Sequence, residues 1–159
     1  MLPPLDQLNA AIEQALPGVS LTLDGASVLV QPNDLVRVCQ FLKTSPDYQL
    51  DYVSNLTAVD YPPDRIEMVY HLSSMSKKHG SVTLKTTLPR SNPVLPSLTT
   101  VYRGAEFQER EVYDLYGVRF NDHPDLRRIL MWEGFKGHPM RKDYVPENQD
   151  VLEESASAD

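Results

Sequence analysis

Near the start of the chain, in "PPLDQLNAAIEQALPG", the apolar residues Leu5, Leu8, Ile12 and Leu16 recur at the three- and four-residue spacing that stacks side chains on one helical face. Proline ahead of this run and Pro17-Gly18 behind it are start and stop signals, so a first helix is predicted. The period then drops to two. "VSLTL" and "SVLVQ" flank "DGA", predicting two strands around a glycine turn. "NDLVRVCQFLKTSP" returns to helical spacing, with Asn33 or Asp34 as N-cap. Three runs rich in β-branched and aromatic residues follow, "YQLDYVSNLTAVDY", "RIEMVYHLSS" and "GSVTLKTTLP", separated by "PPD" and "SKKHG". They predict an antiparallel meander. Beyond it, a short turn is expected over Ser97 to Tyr102 and a longer helix over Ala105 to Tyr116, stopped by Gly117.

The resulting expectation is an α+β fold, a two-layer sandwich with a mostly antiparallel sheet and helices on one face, followed by an extended C-terminal segment. Neither an internal repeat nor an inter-domain linker is visible. The chain divides into an α+β domain over 1–118, a basic and aromatic segment over 119–146, and an acidic tail over 147–159 whose composition predicts disorder.

With 159 residues, 41% hydrophobic and 23% charged, the chain suits one globular domain that needs no disulfide or metal staple. Its single cysteine, Cys39, falls in an apolar-periodic stretch and reads as a buried core thiol in a reducing compartment. "MLPPLDQLNA" lacks the basic start and apolar core of a signal peptide, and no apolar run is long enough to span a bilayer. A place on the cytoplasmic side of any membrane it meets is therefore expected. The net charge of −7 is uneven: the residues after Pro146 carry five acids and no base. Arg119 to Lys142, by contrast, holds six of the fifteen Lys and Arg residues against three acids.

Two dense clusters of chemistry stand out. On the last predicted helix, Glu106, Arg110 and Asp114 lie four apart and form a ladder with the cation in the middle. Glu109 lies beside Val112, Tyr113 and Tyr116, and Glu111 falls between Phe107 and Leu115. Such charges serve either as ordinary i,i+4 pairs on a solvated face or as ties to a partner or to the basic segment that follows. The second cluster is "FNDHPDLRRILMWEGFKGHPMRKDY". Each of His123 and His138 precedes a proline and is driven toward extended backbone. Leu126, Ile129 and Leu130 could anchor one helical turn, whereas Gly134, Gly137 and Pro139 oppose any long element.

His123, Asp125, His138 and Asp143 could be imagined around a metal, but their spacing matches no compact ligand pattern. "GFKG", Gly134 to Gly137, resembles the backbone-clamping loop of KH domains without that module's element order, on an acidic chain. No nucleic acid is expected as partner. Glycine-rich nucleotide loops and nucleophile elbows are missing, and one thiol cannot hold an ordinary iron–sulfur cluster. Cations interleaved with Leu, Ile, Met, Phe and the lone Trp132 suit a docking surface better than an active site. Trp132 itself is equally compatible with a core plug.

"EREVYDLYGVRFNDHPDLRRIL" followed by "GHPMRKDY" resembles the signature of the 30 kDa subunit of the respiratory NADH:quinone oxidoreductase, complex I. The likeness is carried by Glu109, Arg110, Glu111, Asp114, Leu115, Gly117, Phe120, His123, Pro124, Leu126, Arg127, Arg128, Ile129 and Leu130, then Gly137, Pro139, Arg141, Lys142 and Asp143. Weaker similarity runs upstream through "LTAVDYP", "VYHL" and "LPSLTTVY", so roughly residues 50 to 145 are covered. Two positions depart from the pattern: Phe107 stands where the family usually has Trp, and "DYVPENQ" delays the proline that usually follows Tyr144.

The resemblance implies a non-catalytic, peripheral-arm subunit of a proton-translocating enzyme. Its neighbours would be other peripheral-arm subunits, above all the large 49 kDa-like subunit, which lines the quinone cavity. FMN, iron–sulfur clusters, NADH and quinone then belong to neighbouring subunits and none to this chain. Membrane association becomes indirect, on the cytoplasmic face of the cell membrane or the matrix side in a eukaryote. Arg110, His123, Arg127, Arg128, Trp132, His138, Arg141 and Lys142 become the interface candidates, with the cations pairing to carboxylates inside the chain or across the contact. A related reading is the equivalent subunit of a ferredoxin-driven complex I or a membrane-bound hydrogenase. Two readings of other classes are a small metalloenzyme using His123 and His138 and an RNA-binding module at "GFKG".

Overall fold

A computed structural model describes residues 2–146; the predicted acidic tail, 147–159, lies outside the described residues. Helix α1, Leu5–Ala15, buries Leu8 and Ile12 as its spacing requires. Strands β1, Thr22–Asp24, and β2, Ser27–Leu29, pair antiparallel around Gly25, whose φ of 58° is the left-handed conformation the turn needs. A 3₁₀ turn, Pro32–Asp34, leads into α2, Leu35–Thr44, which buries Leu35, Val38, Cys39 and Leu42. Asp34 precedes α2 but makes no side-chain capping bond. Its carboxylate pairs instead with Arg37 at 3.3 Å, and Asn33 lies within the 3₁₀ turn.

The three long runs form β3, Tyr52–Tyr61, β4, Arg65–Ser73, and β5, Ser81–Pro89, as an antiparallel meander with one register shift between Val53 and Asn55. Alternation along them is strong: Leu56 and Ala58, Met68 and Tyr70, and Leu84 and Leu88 all face a single core. The sheet order is β1-β2-β5-β4-β3, and the join between β2 and β5 is parallel. A second sheet pairs β6, Val94–Pro96, with β7, Arg119–Asn121, also parallel. Between them lie the turn at Leu98 to Tyr102 and α3, Ala105–Tyr116.

The fold is thus the expected α+β arrangement, with two short parallel joins that alternation did not disclose. Helix α3 packs on β3. Its other side is covered by residues 122–146, which form no helix or strand and hold themselves by turns. Leu126 packs partly buried against the core. Ile129 and Leu130 are 38% and 59% exposed, so the predicted helical turn over Leu126 to Leu130 does not form. Its backbone donors have a different destination.

Candidate functional site

That destination is the Asp114 carboxylate. Oδ2 accepts the backbone N–H groups of Ile129, Leu130 and Met131 at 3.1, 2.7 and 2.9 Å, and Oδ1 accepts Arg128 Nη1 at 2.7 Å. Three successive amides folded round one oxygen satisfy donors that a helix or strand would otherwise have used. Burial opposes the charge on Asp114, but these amides and Arg128 outweigh it and hold the carboxyl below its usual range. One turn earlier, Arg110 works with opposite polarity. Its Nε and Nη2 donate to the carbonyls of Arg127 and Arg128, each at 3.1 Å. Asp114 and Arg110 stack on one face, and together they bind the donors and acceptors of a single stretch of irregular chain.

The end of α3 extends the same logic. A helix leaves its last four carbonyls without intrahelical partners, and here each is taken. Gly117 N–H caps Tyr113, and Arg128 Nη1 and His138 Nδ1 both donate to Asp114. Met140 N–H meets Leu115, and Arg141 Nε meets Tyr116 at 2.6 Å. Gly117 is required twice: its φ is 75°, and a Cβ there would come within 2.6 Å of the His138 ring. The far end of the segment is pinned by Asp60. Arg90 grips this carboxylate through Nε and Nη2, Lys142 N–H donates to it at 2.8 Å, and Arg90 also reaches Asp143 at 2.6 Å. The Arg90 bonds hold Asp60 below the usual carboxylate range.

Glu109 has a more enclosed setting. It is fully buried and accepts Ser97 Oγ–H and Leu98 N–H, both at 2.6 Å, which ties α3 to the turn after β6. Burial, only partly offset by these two bonds, pushes its pKa up to about 7. His123 Nε2 lies 3.9 Å from Glu109 Oε2. Because His123 Nδ1 accepts Asp125 N–H, its proton sits on Nε2 and is donated to the Glu106 carbonyl at 3.0 Å.

The eight interface candidates divide accordingly. Arg110, His123, Arg128 and His138 direct their polar atoms inward to hold the segment. Arg110 bonds main chain seventeen and eighteen residues away, and its ion-pair partner is Asp125, which replaces the predicted ladder with Glu106 and Asp114. Trp132 is 51% exposed and so is not a core plug; it stands edge-on to Phe135, which stacks on Tyr144. Arg127 and Lys142 are also exposed, and Arg141 is partly so. Phe107, Leu130, Met140 and Val145 add exposed apolar surface on or beside the segment.

Asp60 and Arg90 escaped the sequence reading. An acid in the core phase of the run Leu56, Ala58, Asp60 was the signal that could have found the first; nothing marks the second. Among the described residues no three His, Cys, Asp or Glu side chains gather as metal ligands. His123 spends both ring nitrogens on main chain, and His138 spends Nδ1 there. Cys39 is fully buried, and burial pushes its thiol pKa up, away from reactivity.

The segment is thus clamped by charges turned inward, with apolar and cationic groups turned outward. Comparison with known proteins gives the family. The model for the respiratory-chain NADH dehydrogenase 30 Kd subunit matches residues 28–150, and the chain belongs to that family. A relative from the NADH-quinone oxidoreductase of Roseiflexus castenholzii is 43% identical over 141 residues, covering 87% of this chain and 80% of its own. The 30.4 kDa subunit of the mitochondrial NADH-ubiquinone oxidoreductase of Neurospora crassa is 44% identical over 128 residues, covering 79% and 44%. Among solved structures, a trypsin-resistant fragment of Nqo5 shares 25% identity with a TM-score of 0.53, covering 77% of this chain and 98% of the fragment. A chain of an archaeal membrane-bound sulfane sulfur reductase aligns with a TM-score of 0.69 at 22% identity, over 94% and 89% of the two chains. That last likeness shows a shared fold.

Proposed function

We propose that this chain is a non-catalytic peripheral-arm subunit of a proton-translocating NADH:quinone oxidoreductase, and that residues 119–146 dock on the large quinone-site subunit and stabilise it. One observation carries the reading: the chain fixes an irregular segment from beneath with buried charges, and that segment then offers Leu130, Trp132 and Met140 to solvent, each more than half exposed. Aromatic and long apolar side chains beside arginines are the usual anchors of a protein interface. Electron transfer belongs, on this reading, to FMN and iron–sulfur clusters in neighbouring subunits, and this chain meets NADH and quinone only through them. Its attachment to the membrane is indirect, on the cytoplasmic or matrix side; among the described residues no helix is long and apolar enough to cross a bilayer. The electron donor is not set by this fold, so a ferredoxin-driven relative remains the alternative assembly.

The test is co-purification of the quinone-site subunit with the tagged full chain. Leu130→Asp and Trp132→Ala should each weaken recovery at least tenfold while leaving the melting temperature of the isolated chain within a few degrees. Undiminished recovery with both variants would place the contact elsewhere.

A further inference from the structure

Methionines stand at positions 68, 75, 131 and 140 among the described residues, and solvent meets them unequally. Met68 is fully buried in the core. Met131 is half-buried, with its N–H spent on Asp114 at 2.9 Å. Met75 is 70% exposed in the link between β4 and β5, outside residues 119–146. Met140 is 52% exposed and lies inside them. Its backbone is not free to withdraw. Met140 N–H donates to the Leu115 carbonyl at 3.1 Å, while on either side His138 Nδ1 and Arg141 Nε donate to the carbonyls of Asp114 and Tyr116. Three successive carbonyls at the end of α3 therefore hold the stretch that carries this thioether, and the side chain is left standing in water.

A methionine side chain is apolar and adaptable enough to anchor an interface, but unlike the exposed Leu130 and Val145 it carries a nucleophilic sulfur. Hydrogen peroxide reacts with it directly. The sulfur lone pair attacks one peroxide oxygen, the S–O bond forms as the O–O bond breaks, and the departing hydroxide takes the proton of the transferred oxygen and leaves as water. Sulfur is oxidised by two electrons and the peroxide is reduced. The product is a polar, chiral sulfoxide, and covering it without a matching donor costs an interface more than the thioether did. We propose that Met140 is a modification site for peroxide, at which oxidation of the free chain blocks docking. The partner covers the sulfur once the complex has formed, so the site is open only before assembly. This rests on the docking reading above and adds a reversible chemical control to it.

The test treats the isolated full chain with dilute hydrogen peroxide and reads each methionine by peptide mass spectrometry. Met75 and Met140 should each gain one oxygen well before Met131 and Met68. In a titration against the quinone-site subunit, the oxidised chain should bind roughly tenfold more weakly or worse, and methionine sulfoxide reductases acting on both epimers should restore it. Met140→Leu should bind like wild type and keep its affinity after peroxide, whereas Met75→Leu should lose affinity as wild type does. Met140→Gln, which sets a polar amide in place of the thioether, should bind weakly with no oxidant added. Melting temperatures within a few degrees of one another separate these losses from unfolding. Three results would overturn the inference. The first is a Met140 that gains oxygen no faster than the buried Met68. The second is a chain fully oxidised at Met140 that binds like the untreated one, or a Met140→Leu chain that still loses affinity to peroxide; in either case docking stands and the modification site falls. The third is an untreated wild-type chain that does not bind the quinone-site subunit, which removes both.

Discussion

Helices α2 and α3 have similar lengths and obey the same spacing, yet they bury opposite kinds of side chain. Helix α2 sinks Leu35, Val38, Cys39 and Leu42 and leaves Arg37 in solvent. Helix α3 sinks Glu109, Arg110 and Asp114 alongside Ala105 and Val112. The difference lies in what covers each one. Solvent hydrates the polar side of α2, whereas α3 lies between β3 and a segment with no helix or strand of its own. Such a segment carries unpaired main-chain donors and acceptors that cannot be buried alone. The charges of α3 supply the partners, so their burial is part of the packing.

The comparison breaks most sharply at Asp114. Asp114→Ala leaves three amides without their acceptor at a buried site and removes the carboxylate that pairs with Arg128, a change that costs about 3–5 kcal/mol. Urea unfolding should show that loss, and hydrogen exchange at residues 129–131 should accelerate before any other part of the chain. Glu109→Gln tests the second buried carboxyl through pH. The folded pKa of Glu109 is raised, to about 7 against an ordinary 4.5, so the native state holds the proton more tightly than the unfolded chain. The associated stability is complete below about pH 4.5 and is lost as pH rises through 7. A neutral amide removes this dependence. The variant should match wild type near pH 4.5 and gain on it up to pH 8, by on the order of 3 kcal/mol. Thermal melts across that range would show the reading wrong if the difference stayed flat. Gly117→Ala comes next. It forces a left-handed Cβ against the His138 ring and should lower stability by about 1–3 kcal/mol, measurable as a drop in melting temperature.

How far the sequence discloses this molecule follows from the same contrast. All three helices and the meander are legible because their apolar periods run for ten residues or so, long enough for one face to declare itself. The joins β2 to β5 and β6 to β7 are not. They rest on strands of three residues, which hold too few positions to show a period, and parallel pairing leaves no turn between neighbours to mark it. In the site, the charged residues are visible and their destinations are not. Arg110 suggested side-chain partners one turn away, but it binds the carbonyls of Arg127 and Arg128, and a carbonyl is offered by every residue alike. Side chain to side-chain pairing has a spacing that can be read; side chain to main-chain pairing has none.

Arg37 gives the contrasting result on α2. Its side chain is 49% exposed, its link to Asp34 is 3.3 Å long, and it also reaches the Pro17 carbonyl at 3.3 Å. Water replaces both contacts when the guanidinium is removed, and an exposed i,i+3 pair contributes only a few tenths of a kcal/mol. Arg37→Ala should therefore shift stability by less than about 0.5 kcal/mol, and less still at high salt. If urea unfolding instead showed a loss comparable with that of Asp114→Ala, hydration of the uncovered face could not explain why α2 tolerates its charges, and the distinction between the two helices would have to be sought in something other than what lies over them.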